Sequence, residues 1–287
     1  MNPELLQVRS LILKELKYLS GLYPYNIKKF FDPRMLNAAN IFTFLGRDAS
    51  LSDDYKSRLI NLIAGIELLS TGVNLHSFNT DDFVMLAEDI RLKPNRKYDT
   101  ARYKSRSEKN YTVDLLYGDI FYSRAVIYLL EYQDYYIFES ILESLKSVHR
   151  NRLLLHQKLA ETASSIRART KIIDFETRIE ELIEESEVPI LGINSLLKTS
   201  FLIGWGLFGN NDDSFPYETI NDFLFIKALQ DLSLFFAGLP ADFFFLKKIK
   251  YIENRKNITR ARLNDNIAAT SPAWLRESLK GLSRLYL

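Results

Sequence analysis

The sequence predicts an all-α protein, a large helical bundle formed as one domain over residues 1–287. Apolar residues recur at three- and four-residue spacing in one segment after another, and no stretch alternates as a convincing strand does. No tandem repeat or low-complexity linker divides the chain. With 287 residues, 47% of them hydrophobic, the chain is long enough to bury a sizeable core.

One stretch, Ile60 to Asp82, is predicted to form the helix around which the bundle is organised. Ser52, followed by two acids, is typical of a capped helix start before this stretch. The apolar residues that share one face of the helix are Leu62, Ile63, Ile66, Leu69 and Val73. Polar residues follow from Asn74 onward, which is how a helical bundle places a site in its interior.

The other segments show the same helical spacing. Further helices are predicted at residues 3–19, 34–45, 111–160, 171–187, 217–237, 241–252 and 271–286. Pro3 fits the first position of its helix, where a missing N–H costs nothing. The helix at 171–187 is strongly acidic and is predicted to expose one face to solvent.

The most apolar run, Val188 to Phe208, approaches the length of a membrane span. Asn194, Lys198 and Thr199 interrupt it, which favours a buried central helix over a transmembrane one. A lysine in such a run needs a polar partner or water, so we expect Lys198 and Thr199 to face the interior.

Residues 91–110 form a polar, basic segment in which eight of the twenty residues are Lys or Arg. Two interpretations remain open for it. It is either a solvated loop or a lid that attracts phosphate groups.

Composition excludes several classes of protein. The net charge of +2 gives no indication of a nucleic-acid partner or a membrane surface. The absence of cysteine excludes disulfides and thiolate metal sites. The three histidines lack the spacing of a zinc site, and no Gly-rich phosphate loop is present. The first residues lack the apolar core of a signal peptide, so a cytoplasmic location is expected.

Four segments, in order along the chain, resemble the trans-polyprenyl diphosphate synthases. They are GIELLSTGVNLHS at 65–77, LLYGDIFYSRAVIYLL at 115–130, LLKTSFLIGWGLFG at 196–209 and FIKALQDLSLF at 225–235. The resemblance implies an all-α bundle of the isoprenoid synthase type. In that family, aspartates on two facing helices hold the magnesium ions that stabilise the departing diphosphate.

The aspartate motifs of the family are lost from this chain. Ser77 and Phe78 replace the first two aspartates of the first motif, and only Asp81 remains. Ser233 and Leu234 stand where the second motif begins. Asp81 and its neighbour Asp82 fit first-turn acids of a helix better than a new metal cluster with Glu88 and Asp89.

The resemblance therefore implies no catalytic residue, no metal ligand and no cofactor in this chain, with magnesium expected only in a catalytic partner. It implies a relic substrate site at His76, Asp81, Arg91, Lys198, Thr199 and Gln230. Asp81 is the partner expected for Lys198.

The function that the resemblance implies is a non-catalytic subunit of a heteromeric polyprenyl diphosphate synthase. Such a subunit binds a catalytic subunit and shapes the product tunnel. A dense set of aromatic residues predicts the contact with that subunit, or with a second copy of this chain: Phe121, Tyr122, Tyr128, Tyr132 and Tyr135. Three alternatives stay open: a helical scaffold protein, a homodimeric pseudoenzyme, and an enzyme of the same fold with altered carboxylates.

Overall fold

The computed structural model describes residues 3–22, 31–45, 52–76, 100–167, 180–181, 183–184, 192–209, 214–237 and 250–287, with backbone alone at 19–22, 100–114, 156–167 and 234–237. These ranges contain helices and connecting turns and no strand, which confirms the all-α prediction. The helices are α1 (Pro3–Leu22), α2 (Leu36–Phe42), α3 (Asp53–Leu75), α4 (Thr100–Glu131), α5 (Tyr135–Arg167), α6 (Ser195–Phe208), α7 (Tyr217–Ala237), α8 (Lys250–Ala269) and α9 (Ala273–Tyr286).

Helix α3 is the central element, as its sequence predicts. It begins where expected, because the Ser52 hydroxyl accepts a hydrogen bond of 3.3 Å from the backbone N–H of Tyr55. Its second half is buried on nearly every side, since most positions from Leu62 to Leu75 are shielded from water. Helices α1, α2, α4 and α6 all contact α3, so it packs at the centre of the described bundle.

Small residues bring α3 and α4 into close contact. A Cβ at Gly65 would lie 2.9 Å from the Leu129 side chain, and one at Gly72 would lie 2.8 Å from the Tyr122 ring. These pairs run in opposite directions along the two helices, so α3 and α4 are antiparallel. Glycine at these two positions is required by the close approach and not by any turn.

Two apolar clusters fill the bundle, and α2 and α6 contribute to both. The first lies among α1, α3, α4 and α5. The second lies among α7, α8 and α9 and is rich in aromatic rings. Its rings form a chain in which Phe44, Phe201, Phe223 and Tyr286 succeed one another at centroid distances of 6.3, 6.2 and 4.9 Å. Aromatic pairs at these separations add to the burial energy of the core.

The predicted helix limits were wrong at several places. Residues 100–110, expected in a basic loop or lid, form the first three turns of α4, whereas residues 91–99 lie outside the described ranges. Of the helix predicted at 241–252, residues 241–249 lie outside the described ranges, and residues 250–252 begin α8, which continues to Ala269. Helix α7 and the last helix lie close to their predicted positions. Most of 171–187 lies outside the described ranges.

Among the described residues, no helix is both long and apolar enough to cross a membrane. Helix α6, taken from the most apolar run of the sequence, has fourteen residues and buries one face against α2 and α5. The preference for a bundle helix over a membrane span agrees with this packing.

Candidate functional site

His76 forms the C-terminal cap of α3 and lies against α4. Its Nε2 is 3.1 Å from the carbonyl oxygen of Leu115 and 3.4 Å from Oδ1 of Asp119. A Cβ at Gly118 would lie only 1.9 Å from the imidazole ring, so the glycine makes room for it. The first of these contacts makes Nε2 the protonated nitrogen, donating to the backbone of α4.

Three side chains lie around the end of α3 beside His76, and the sequence analysis had named only Tyr122 among them, as an interface residue. The Tyr122 ring packs on His76 at a centroid distance of 4.8 Å. Its hydroxyl lies 3.1 Å from Nε2 of His149. Arg152 donates a hydrogen bond of 2.6 Å to the carbonyl oxygen of Val73 at the end of α3. The cluster ties α3, α4 and α5 together where the described part of α3 ends.

The charges in this cluster favour a neutral His149. Desolvation, followed by the nearby charges of Arg152 and His76, lowers the pKa of His149. Burial also disfavours the charged form of Tyr122, and it therefore raises the pKa of that hydroxyl. A neutral imidazole accepts a hydrogen bond, so Tyr122 donates to His149 at neutral pH.

Lys198 and Thr199 lie on different faces of α6. The Lys198 side chain is exposed, so the expectation that it faces the interior was wrong. Adjacent helical residues point about 100° apart, and packing against α2 and α5 places Thr199 inside. Thr199 is hydrogen-bonded there to Ser144 of α5. Asp81 lies outside the described ranges, so its pairing with Lys198 stays a prediction, as does any role of Arg91.

Gln230 lies on α7, and its side-chain amide is already engaged. It donates to the carbonyl oxygen of Tyr286 in the last turn of α9. Lys227 and Asp231 form an ion pair beside it. The structure therefore places a predicted site residue in contact with another helix of the same chain.

Asp32 and Arg34 form a second ion pair next to this one, just before α2. Asp32 accepts hydrogen bonds of 2.9 and 2.7 Å from the Arg34 guanidinium. Burial alone would raise the pKa of Asp32, but the hydrogen bonds from Arg34 and the charge of Lys227 outweigh it and lower that pKa. Both groups are therefore charged at neutral pH.

Glu67, on the central helix, is a buried acid that the sequence analysis did not identify. It is 3% exposed and accepts hydrogen bonds of 2.9 Å from the backbone N–H of Ala38 and 3.3 Å from the Asn37 amide. Met35, the N-cap of α2, supplies no side-chain hydrogen bond, so Glu67 caps α2 from a neighbouring helix. Burial raises the pKa of Glu67 to about 7. The sequence signal for this buried acid was the position of Glu67, a charged residue among apolar residues of the predicted helix.

The aromatic residues predicted as an interface divide between the core and the surface. Phe121 is fully buried and Tyr132 is nearly so, which excludes both from an exposed contact. Tyr122 packs against His76, and Tyr128 donates to the buried carboxyl of Glu15. Only Tyr135, at 71% exposure, presents most of its surface. The face of α4 that carries Phe121 is the one that α3 covers, so the prediction was wrong for that face.

Within the described residues, no group of three or more His, Asp or Glu side chains is arranged to hold a metal ion. Ser233, which the resemblance aligns with an aspartate of the synthases, is half-buried on α7. An open groove of about 480 Å³ lies between α1 and α3, lined by residues such as Lys14 and Lys56. It contacts only the first turns of α3, far from His76.

Comparison with known proteins finds similarity among solved structures. No family model matches the chain, and no curated protein matches it. Among solved structures, it is similar to a decaprenyl diphosphate synthase from Rhodobacter capsulatus, with 14% sequence identity and a TM-score of 0.50. The alignment covers 99% of this chain and 94% of that one. The described part of the chain therefore has the all-α fold of the isoprenyl diphosphate synthases.

Proposed function

We propose that this chain is a non-catalytic subunit of a polyprenyl diphosphate synthase, which binds a catalytic subunit and shapes its product tunnel. The synthase fold is retained, while Ser77, Phe78, Ser233 and Leu234 stand in place of the aspartates that hold magnesium in the resembled family. The observation that carries the proposal is an uncovered apolar stripe on the outer face of α4.

The α4 stripe runs along one side of the helix. Its four large residues are Leu116, Ile120, Ile127 and Leu130, with exposed fractions of 59, 37, 49 and 56%. The spacing of four, seven and three residues keeps them on one face. Large apolar residues exposed along one face of a helix are typical of a protein interface.

The α4 stripe is nearly mirror-symmetric about Ser123, which lies at its centre. An antiparallel helix with the same pattern would therefore place Leu116 opposite a partner's Leu130-like residue and Ile120 opposite an Ile127-like one. Two-fold contacts are self-complementary in this way. The small Ser123 side chain allows close approach at the two-fold axis. The stripe thus fits a partner of the same fold, which a catalytic synthase subunit would be.

The first experiment tests the activity of the chain with and without its proposed partner. The purified chain alone is expected to form no product from an allylic diphosphate and isopentenyl diphosphate with magnesium, because Asp81 alone remains of the carboxylates that hold the metal in the resembled family. Adding an Asp-motif synthase from the same cells is expected to give a stable complex whose product length differs from that of the synthase alone. Turnover by the pure chain, or an unchanged product with no complex, would contradict the proposal.

The second experiment tests the α4 stripe. Ile120→Asp should abolish the complex, because burying an unpaired carboxylate at a helix interface is strongly unfavourable. Ile258→Asp is a matched control, since Ile258 is 61% exposed on α8 and away from the stripe. Both variants should keep the helical circular dichroism of the parent. If both variants lose the complex to the same extent, the α4 stripe is not the specific contact.

A homodimeric pseudoenzyme or scaffold is the second candidate. The near mirror symmetry of the α4 stripe favours it, because a self-complementary face also fits a second copy of this chain. The close-packed aromatic rings of the second core are also compatible with a protein that takes no prenyl chain. Light scattering on the pure chain, followed by titration with the synthase, separates the two candidates. A homodimer that the synthase does not dissociate supports the pseudoenzyme.

A further inference from the structure

The side chains at the end of α3 contact the turns of α4 that carry the first half of the α4 stripe. His76 Nε2 lies 3.1 Å from the carbonyl oxygen of Leu115, and the Tyr122 ring packs on the His76 imidazole at a centroid distance of 4.8 Å. Leu116 and Ile120, two residues of the α4 stripe, lie between these two positions in the sequence. The contacts of His76 therefore hold the turns that present the first half of the stripe.

The α3 junction comprises His76, Tyr122, His149 and Arg152, and the direction of one of its hydrogen bonds depends on a single proton. The Tyr122 hydroxyl oxygen lies 3.1 Å from Nε2 of His149. A neutral imidazole accepts this hydrogen bond, whereas an imidazolium ion has two N–H donors and no acceptor. Protonation of His149 therefore turns Tyr122 from the donor into the acceptor, and the hydroxyl proton has to point elsewhere.

The same proton would place a positive charge on His149 beside a permanent one. Arg152 follows one turn later on α5, and desolvation lowers its pKa only to about 10, so it is charged at neutral pH. The His76 ring lies 6.5 Å from the His149 ring between centroids. Desolvation, followed by the charges of Arg152 and His76, lowers the pKa of His149 for this reason.

Two acids act on the α3 junction from neighbouring helices. Asp119 on α4 is 3.4 Å from His76 Nε2, but its side chain is 70% exposed, so water screens its charge. Asp231 on α7 attracts Arg152 over a longer distance and is itself paired with Lys227. The repulsion between Arg152 and a protonated His149 is therefore only partly offset.

The second half of the α4 stripe is held by a different set of contacts. Arg124 donates a hydrogen bond of 2.9 Å to Glu15 of α1, and Tyr128 donates one of 2.8 Å to the same carboxylate. Burial alone would raise the pKa of Glu15, but the hydrogen bonds from Arg124 and Tyr128 outweigh it and lower that pKa. These contacts therefore persist at a pH at which His149 takes up a proton.

We propose that the α3 junction is an acid-sensitive clamp, which releases the first half of the α4 stripe when His149 is protonated. The folded junction binds this proton less tightly than a free imidazole, whose pKa is 6.5. The clamp is therefore complete above that pH and weakens as the pH falls below it. The inference rests on the proposed function only for its consequence, a complex that weakens in acid, because the clamp itself lies within this chain.

Hydrogen–deuterium exchange of the pure chain at pH 8 and pH 5 tests the clamp directly. After correction for the intrinsic effect of pH on exchange, the amides of residues 115–122 should exchange at least about threefold faster at pH 5. The amides of residues 124–131, held by Glu15, should keep their protection. Equal protection of residues 115–122 at both pH values, or an equal loss over both segments, would overturn the proposal.

Three variants identify the group that takes up the proton. His149→Gln should keep residues 115–122 protected at pH 5, because the amide oxygen accepts from Tyr122 at every pH. His156→Gln, seven residues further along α5, is the matched control and should respond to acid like the parent. Glu67 is unchanged in these variants, so its own titration cancels in the comparison. If the acid response persists in His149→Gln and disappears in His76→Gln, the proposal is wrong.

Complex formation separates failure of this inference from failure of the proposed function. The dissociation constant of the complex with the synthase should rise at least about threefold from pH 8 to pH 5 for the parent, and less for His149→Gln. A complex with the same pH dependence in both would overturn the inference and leave the subunit role intact. If no complex forms at either pH, the subunit role is rejected, and the exchange experiment alone decides whether the clamp exists.

Discussion

Replacing Glu67 by glutamine should make the stability of the protein less dependent on pH. The carboxyl group is 3% exposed and caps α2 through the N–H of Ala38. Glutamine retains an oxygen that accepts this hydrogen bond, but it carries no charge. The substitution therefore isolates the cost of keeping a buried carboxylate ionised.

The magnitude follows from the pKa of Glu67, which burial raises from 4.5 to about 7. The folded state binds the proton more tightly, so Glu67 contributes stability at acid pH that is lost as pH rises from about 4.5 through 7. The difference between a pKa of about 7 and one of 4.5 corresponds to roughly 3.4 kcal/mol of free energy. The gain in unfolding free energy of Glu67→Gln over the parent should therefore be larger at pH 8 than at pH 5, by roughly 2–3 kcal/mol.

Urea unfolding followed by circular dichroism between pH 5 and pH 8.5 measures this difference. Subtracting the parent from the variant at each pH cancels the contributions of groups that the substitution leaves unchanged, such as Asp32. Glu139→Gln, which changes an exposed carboxyl on α5, controls for the substitution itself. Parallel stability curves for the parent and Glu67→Gln would refute the assignment of a raised pKa to this carboxyl.

Three further predictions concern close contacts and capping. Gly204→Ala should destabilise the protein by about 1–3 kcal/mol in urea unfolding, because the new Cβ would lie 2.7 Å from a backbone oxygen of α2. Gly206→Ala, whose Cβ would have no atom within 4 Å, should stabilise the protein by about 0.5–1 kcal/mol. Equal effects of the two substitutions would contradict the packing of α6. Ser52→Ala should cost about 1 kcal/mol through loss of the α3 cap, and an unchanged thermal midpoint would count against that role. Gly118→Ala should displace the imidazole of His76, because the new Cβ would overlap the ring. The loss of unfolding free energy caused by Gly118→Ala should therefore be smaller in a His76→Ala background than in the parent. A double-mutant cycle measures this difference.

Local signals in the sequence were sufficient to place several helices. Ser52 and the acids after it predicted the start of α3, and uninterrupted helical spacing predicted α7 almost to its ends. These signals act within one or two turns, so they do not depend on the rest of the fold. The same reasoning missed most of α8, whose buried residues form a narrow stripe among many polar ones. It also missed the first turns of α4, because a high density of Lys and Arg suggested a loop.

The site could be predicted only in part, because spacing along one helix does not say which face meets a neighbour. Helix α4 has two apolar faces, one containing Phe121 and the other Ile120, and both satisfy the same periodicity. The glycines of α3 select the Phe121 face, since only there can the two backbones approach closely. Lys198 and Thr199 are adjacent in the chain, and the packing of α6 decided which of them is buried.

The sequence by itself determined the helical class and the positions of the best-capped helices, because each of these depends on residue types and short spacings. The tertiary structure alone decided that Glu67 caps a different helix and that Gln230 binds the last turn of α9. Those contacts join residues 29 and 56 positions apart in the chain. Their partners are fixed by how whole helices pack, which no local pattern of residues specifies.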